Sequence, residues 1–227
     1  MFQHAPNKQK YAKPSINIVC HGNSITYGSG LSSPSTQSWP GLISALWPLA
    51  GGASVTVTNL GHPSWSWEKL NGQNGGYTTD VDGDYSVGKV NILLAGENTN
   101  SIYNGDSYNT IISTIKSYCS ARLATHPWHL VLQTALPFTE SSTNQTTVNS
   151  YNLLNDEVNT YLLSNYRALG AKMCIDWRPA GSPFSMSNYT LSNFISPLYQ
   201  SDGTHPTAQG HKVLAAQIAQ QLARLGA

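Results

Sequence analysis

The sequence predicts an α/β fold in which a five-stranded parallel sheet is covered by helices on both faces. Short apolar stretches alternate along the chain with longer segments whose apolar residues recur at helical spacing, the order of a wound parallel sheet. Residues 90–95 are apolar except at Asn91, as in a strand buried on both sides. At 227 residues the chain suits a single domain with a sizeable core. Residues 15–227 are assigned to that domain. The polar segment 1–14, with Pro and Lys and no periodicity, is assigned to an exposed arm or linker.

The first strand is expected over residues 16–20, where β-branched residues run into the turn Gly22-Asn23-Ser24. A loop over 28–38 leads to a helix capped by Ser38, with Leu42, Ile43, Leu46 and Trp47 on one face. Residues 54–58 alternate as a second strand and deliver Asn59 and Gly61 to the sheet edge. The third strand, 90–95, delivers residues 96–98 to the same edge. A helix over 107–123 carries Ile111, Ile112, Ile115, Cys119 and Leu123 at helical spacing. A fourth strand over 129–134 precedes a helix striped by Val148, Tyr151, Leu154, Val158, Tyr161 and Leu162. The fifth strand is expected over 171–175. Thr207 caps a closing helix striped by Leu214, Ile218, Leu222 and Leu225.

Two long connections, 61–89 and 176–204, set Trp65, Trp67, Tyr77 and Tyr85, then Trp177, Phe184, Tyr189, Phe194 and Tyr199, among polar residues and glycines. Connections of this length in a compact domain are functional or disordered, and aromatic content argues against disorder. Both are expected to border a site at the sheet edge.

A formal net charge of +1 with no basic run excludes nucleic acid as an expected partner, and no stretch is long and apolar enough to insert in a membrane. Charged residues are only 10% of the chain, replaced by Ser, Thr, Asn, Gly and Tyr. That surface suits neutral polar material and an extracellular or particle-associated setting, although residues 1–14 lack the apolar core of an export signal. Cys20, Cys119 and Cys174 cannot all pair within the chain, and their apolar contexts predict buried free thiols. No Cys/His cluster has zinc-ligand spacing, and no metal or other cofactor is expected.

Ser24 follows a strand at a glycine turn, where a hydroxyl is held out at the carboxyl edge of the sheet. Taken alone it reads as a helix cap. What points to acyl transfer is Asp202-Gly203-Thr204-His205, which supplies an acid and an imidazole three residues apart. Ser24 would attack, His205 would act as base and then acid, and Asp202 would orient the imidazole. The Gly-x-Ser-x-Gly elbow of α/β-hydrolases is absent, since Thr26 holds the second glycine position. His21 and His62 lie near these residues but lack an acidic neighbour at useful spacing, and are read as supporting or loop residues. His4, His126, His129 and His211 are read as ordinary histidines.

Four blocks, in order across nearly the whole chain, resemble those of the SGNH (GDSL-type) hydrolases. They are Gly22-Asn23-Ser24-Ile25-Thr26, Asn59-Leu60-Gly61, Gly96-Glu97-Asn98-Thr99 and Asp202-x-x-His205. The resemblance implies a flavodoxin-like three-layer α/β/α sandwich and a Ser24-His205-Asp202 triad. It also implies an oxyanion hole made by the Ser24 N–H, the Gly61 N–H and the Asn98 side-chain amide. Asn23 and Thr99 depart from the family, which usually has Asp at the first position and often at the second. The implied activity is hydrolysis of small acyl esters without a cofactor. Low charge and aromatic loops favour an acetylated polysaccharide as substrate, with Trp65, Trp67 and Glu97 as substrate-binding candidates. The alternatives are a lipid-, aryl- or thioester hydrolase and a catalytically silent carbohydrate-binding module.

Overall fold

The computed structural model describes residues 15–51, 54–179, 181–185, 189–194 and 196–225, the side chains of 47–51 and 225 excepted. The expected arm 1–14 and the stripe positions Trp47 and Leu225 lie outside the described residues. Strands β1 (Ile16–Gly22), β2 (Val55–Gly61), β3 (Val90–Gly96), β4 (His129–Gln133) and β5 (Met173–Ile175) form one sheet in the order β2-β1-β3-β4-β5, with every neighbouring pair parallel. The helices, in chain order, are α1 (Ser24–Tyr27), α2 (Pro34–Gln37), α3 (Trp39–Gly51), α4 (Trp67–Leu70), α5 (Thr79–Gly83), α6 (Thr99–Tyr103), α7 (Tyr108–Thr125), α8 (Gln145–Asn165) and α9 (Ala208–Leu222).

The period of two along each strand divides the core into two layers. Ile16, Ile18, Cys20, Ile92, Leu94, Val131 and Ile175 pack with Ile43 of α3 and Leu214, Ile218 and Leu222 of α9. Val19, Leu93, Ala95, Leu130 and Leu132 point the other way, to Ile111 and Ile115 of α7 and Val158 and Leu162 of α8. Each fully buried side chain of this kind contributes about 1.5–3 kcal/mol. The result is a three-layer α/β/α sandwich with the flavodoxin strand order, in which the switch point, where sheets of this kind gather ligands, falls between β1 and β3.

β1 and β2 run further than the apolar pattern suggests. Gly22 pairs in register with Gly61 on one side and Gly96 on the other, so pairing with neighbours carries the strands through glycines of poor strand propensity. The two long connections differ from expectation in opposite ways. Residues 61–89 are organised by α4 and α5. In 176–204, by contrast, Trp177, Phe184, Phe194 and Tyr199 are buried against the α3/α9 layer and are core rather than site lining.

The inner face of α8 also departs from the apolar stripe. Its buried residues include Asn152, Asn155 and Asn159, while Tyr151, Leu154 and Tyr161 are only partly buried. All three cysteines are free, with Cys20 and Cys119 buried and Cys174 half-buried. No helix among the described residues is long and apolar enough to cross a membrane.

Candidate active site

Ser24 sits directly beyond β1, as the first residue of α1. Asn23 caps that helix, its Oδ1 accepting from the Ile25 N–H at 2.9 Å. As first residue of the helix, Ser24 has no intrahelical acceptor for its own N–H. Its Oγ lies 2.8 Å from Nε2 of His205, whose Nδ1 lies 2.7 Å from Oδ2 of Asp202. The other carboxylate oxygen, Oδ1, accepts from the N–H groups of Thr204 (2.9 Å) and His205 (3.0 Å). Burial pushes the Asp202 carboxyl up, but these bonds from His205 and Thr204 outweigh it and hold the carboxyl below its usual range. Serine, imidazole and carboxylate thus form one continuous relay, with the acid kept ionised.

The Asp202–His205 turn is held from outside. Thr139 Oγ1 donates to the Asp202 carbonyl at 2.7 Å, the Thr139 N–H to the Gly203 carbonyl at 3.1 Å, and the Ser141 N–H to the Asp202 carbonyl at 3.0 Å. Gly203 has φ 64°, and a Cβ there would stand 2.4 Å from Thr139 Oγ1, so only glycine fits. Gln200 ties the two halves of the site together. Its Nε2 donates to the carbonyls of Ser29 (2.8 Å) and Pro206 (3.0 Å), and its N–H donates to the His205 carbonyl (2.8 Å).

The other residues singled out in the sequence lie nearby but play different parts. The Gly61 N–H donates to Asn59 Oδ1 at 2.9 Å, and a Cβ on Gly61 would stand 2.0 Å from the Tyr27 nitrogen. The glycine is therefore required for close packing of β2 on α1. Asn98 is 0% exposed, and its Nδ2 donates to Oδ1 of Asn155 (3.1 Å) and Asn159 (3.0 Å). Its Oδ1 accepts from Nε1 of Trp67 at 3.0 Å.

Two of the three expected oxyanion donors are thus bonded within the fold. Trp67 is 1% exposed and Glu97 2%, so both are packed into the fold rather than presented at the surface as expected of substrate-binding residues. The indole is drawn inward by its bond to Asn98. Trp65 remains near the surface, its ring stacked on His62 at 3.9 Å with Tyr77 edge-on at 4.9 Å.

Glu97 instead supports the serine turn from behind. Its carboxylate receives the Asn100 N–H, the Ser101 hydroxyl (2.9 Å) and, more loosely, Nδ2 of the cap residue Asn23 (3.5 Å). Asn23 is neutral where the family has Asp, and that neutrality lets it sit beside this acid. Burial raises the Glu97 pKa to about 7 despite the donors from Asn100, Ser101 and Asn23. A carboxyl with a raised folded-state pKa contributes stability that is complete below the unfolded value of 4.5 and is lost as pH rises through about 7. The Glu97→Gln variant lacks this titration. The unfolding free energy of wild type minus that of the variant should therefore fall by about 3 kcal/mol between pH 4.5 and 8. Urea titrations across that range measure it, and a flat difference would show that Glu97 titrates as an ordinary carboxyl.

Several supporting residues had only a faint signal in the sequence. Asn152, Asn155 and Asn159 lie at helical spacing on the same face as Val148 and Leu162, a polar stripe hidden inside an apolar one. They bond the backbone after β4: Asn159 takes Ala135, Asn155 the Leu136 carbonyl, and Asn152 both polar groups of Phe138. His62 does have an acidic partner, contrary to the sequence reading, because α5 brings Asp80 Oδ2 to 2.8 Å from its Nε2. His211 is no ordinary surface histidine. It is fully buried, and its Nδ1 accepts from the Trp39 N–H at 3.1 Å, fixing the start of α3 to α9.

The parallel sheet in the order 2-1-3-4-5 with helices on both faces is a fold this chain shares with solved lipolytic proteins of the G-D-S-L (SGNH) type. No family model matches the sequence, and no curated protein matches it either. Among solved structures, the chain is similar to a lipolytic protein of the G-D-S-L family from Veillonella parvula, with TM-score 0.66 and 17% identity over 91% of this chain and 97% of that one. A psychrotrophic esterase from Pseudoalteromonas sp. matches with TM-score 0.65 and 10% identity, covering 92% and 97% of the two chains. A carbohydrate esterase of family 3 from Talaromyces cellulolyticus matches with TM-score 0.62 and 16% identity, again over 92% and 97%.

Proposed function

We propose that the protein is a serine ester hydrolase that removes short acyl groups, acetyl above all, from carbohydrate. The observation that carries the reading is the relay from Asp202 through His205 to Ser24, with links of 2.7 and 2.8 Å. In the proposed reaction Ser24 Oγ attacks the ester carbonyl and His205 Nε2 takes its proton. Asp202 stabilises the imidazolium, and His205 returns the proton to the departing alcohol. Water, activated by the same histidine, then releases the acid from the acyl-serine. The Ser24 N–H is the donor best placed for the oxyanion. The Gly61 N–H and the Asn98 amide would join it only by giving up their present bonds.

Acetyl preference is supported by exposed Tyr77 packed edge-on against half-buried Trp65 at 4.9 Å, a surface for sugar faces rather than an aliphatic channel. The fold is shared with lipolytic proteins as well as with a carbohydrate esterase, so acyl-chain length is the informative variable. Each methylene bound in an apolar groove is worth about 0.8 kcal/mol, or about fourfold in kcat/KM. We expect kcat/KM to fall from p-nitrophenyl acetate to the octanoate, with acetate released from an acetylated glycan. A profile rising through the octanoate would replace this substrate class by lipid esters and leave the triad assignment untouched.

A further inference from the structure

We propose that His21, His62 and Asp80 form a binding site for a divalent transition-metal ion of the zinc class, beside the candidate active site and independent of the ester-hydrolase reading. One ring nitrogen from each histidine and one carboxylate oxygen of Asp80 lie within 4.8 Å of one another. The three come from separate elements: His21 from β1, His62 from the residue after β2, and Asp80 from α5.

His21 is 1% exposed, and its Nε2 is a buried nitrogen with no hydrogen-bond partner among the described residues. Its Nδ1 lies 2.8 Å from the Tyr118 hydroxyl. With the proton on Nδ1 and given to the Tyr118 oxygen, the imidazole presents a bare Nε2, the tautomer a metal ligand requires. A buried polar atom without a partner calls for an explanation, and a metal bond supplies one.

On the other side, His62 Nε2 and Asp80 Oδ2 are 2.8 Å apart, with side chains 17% and 20% exposed, so an ion can enter from solvent. Asp80 is held by the Val81 N–H on Oδ1 at 2.7 Å, which leaves Oδ2 directed at the histidines. Tetrahedral zinc with bonds of about 2.0–2.2 Å needs ligand atoms about 3.3–3.5 Å apart. The His62–Asp80 contact would open slightly and the His21 contacts would close. Two imidazoles and one carboxylate suit zinc and cobalt(II) and do not suit calcium or magnesium, which take all-oxygen shells. The local field permits the charge. Arg122 is paired with Asp82 at 2.5 Å, and the Asp84 carboxyl, raised by burial and then by the charge of Asp80, adds a second acid nearby.

A bound ion would tie the segment between β2 and α5 to the strand that carries the serine turn. It would also fix Trp65 and Tyr77, whose rings pack on His62 at 3.9 and 5.5 Å.

The test is equilibrium dialysis of the chelator-treated full chain against zinc chloride, then against cobalt(II) chloride. Bound metal is counted by mass spectrometry, and the visible cobalt spectrum is recorded. We expect one ion per chain, intense tetrahedral-type d–d bands, and a metal-dependent rise in Tm. His62→Asn and Asp80→Asn, both at the open rim, should weaken uptake by about a hundredfold while His205→Asn leaves it unchanged. The cobalt spectrum of the wild type is informative even if a variant fails to fold. Absence of stoichiometric uptake by the wild type would overturn the inference. So would uptake that survives His62→Asn and Asp80→Asn, or uptake lost with His205→Asn alone, which would place the ion at the triad.

Discussion

Ser24→Ala is expected to lower kcat/KM for p-nitrophenyl acetate by about 10⁴-fold or more, leaving only the residual rate that binding and oxyanion donors supply, while the fold is kept. The two halves of the expectation have separate causes. Among the described residues the hydroxyl has one hydrogen-bond partner, His205 Nε2, and Ser24 is half-buried on the first turn of α1. Alanine is at ease in a helix, and the Asn23 cap does not involve the serine side chain. The unfolding free energy should accordingly change by no more than about 0.5–1 kcal/mol. His205→Ala should be nearly as damaging, and labelling by a fluorophosphonate should require both residues. Retention of most of the activity in a folded Ser24→Ala protein would remove the serine mechanism, and with it the reading of Asp202 and His205.

Much of this arrangement is legible in the sequence, for identifiable reasons. The strands and main helices follow from period-two and helical apolar patterns, and the cap Thr207 marks where the closing helix begins. Ser24 is legible because it follows the first strand at a glycine turn, and Asp202 and His205 because an acid and an imidazole stand three residues apart just before the last helix. What is not legible depends on pairing between residues far apart in the chain. Nothing local says that Glu97 will turn inward to Asn23, that Asp80 will arrive at His62, or that Thr139 will hold Asp202. Composition misleads in one respect. Aromatic residues in a long polar connection look like a binding surface, yet Phe184, Phe194 and Tyr199 are needed to cover the α3/α9 side of the sheet.

The sharpest departure is at Asn98, where the family resemblance and the geometry predict different experiments. An oxyanion donor removed by Asn98→Ala would lower kcat by about 10²–10³-fold and leave stability nearly untouched. In the structure the same side chain is the hub of a buried network. Its loss would strand the Trp67 indole N–H and Asn155 Oδ1, while Asn159 Oδ1 would keep its bond from the Ala135 N–H. Each stranded buried group costs about 1–3 kcal/mol, so Asn98→Ala is expected to destabilise the fold by about 2–6 kcal/mol. The damage should spread toward the acid. Asn155 and Asn159 also hold residues 135 and 136, and that segment runs on to the Thr139 and Ser141 contacts with Asp202. Urea denaturation of the variant, paired with kcat measured well below its transition, separates the two accounts. A stability loss of the expected size assigns Asn98 to the framework beneath the triad. Unchanged stability with a large fall in kcat would return it to the oxyanion hole and show that its amide leaves Asn155 and Asn159 during turnover.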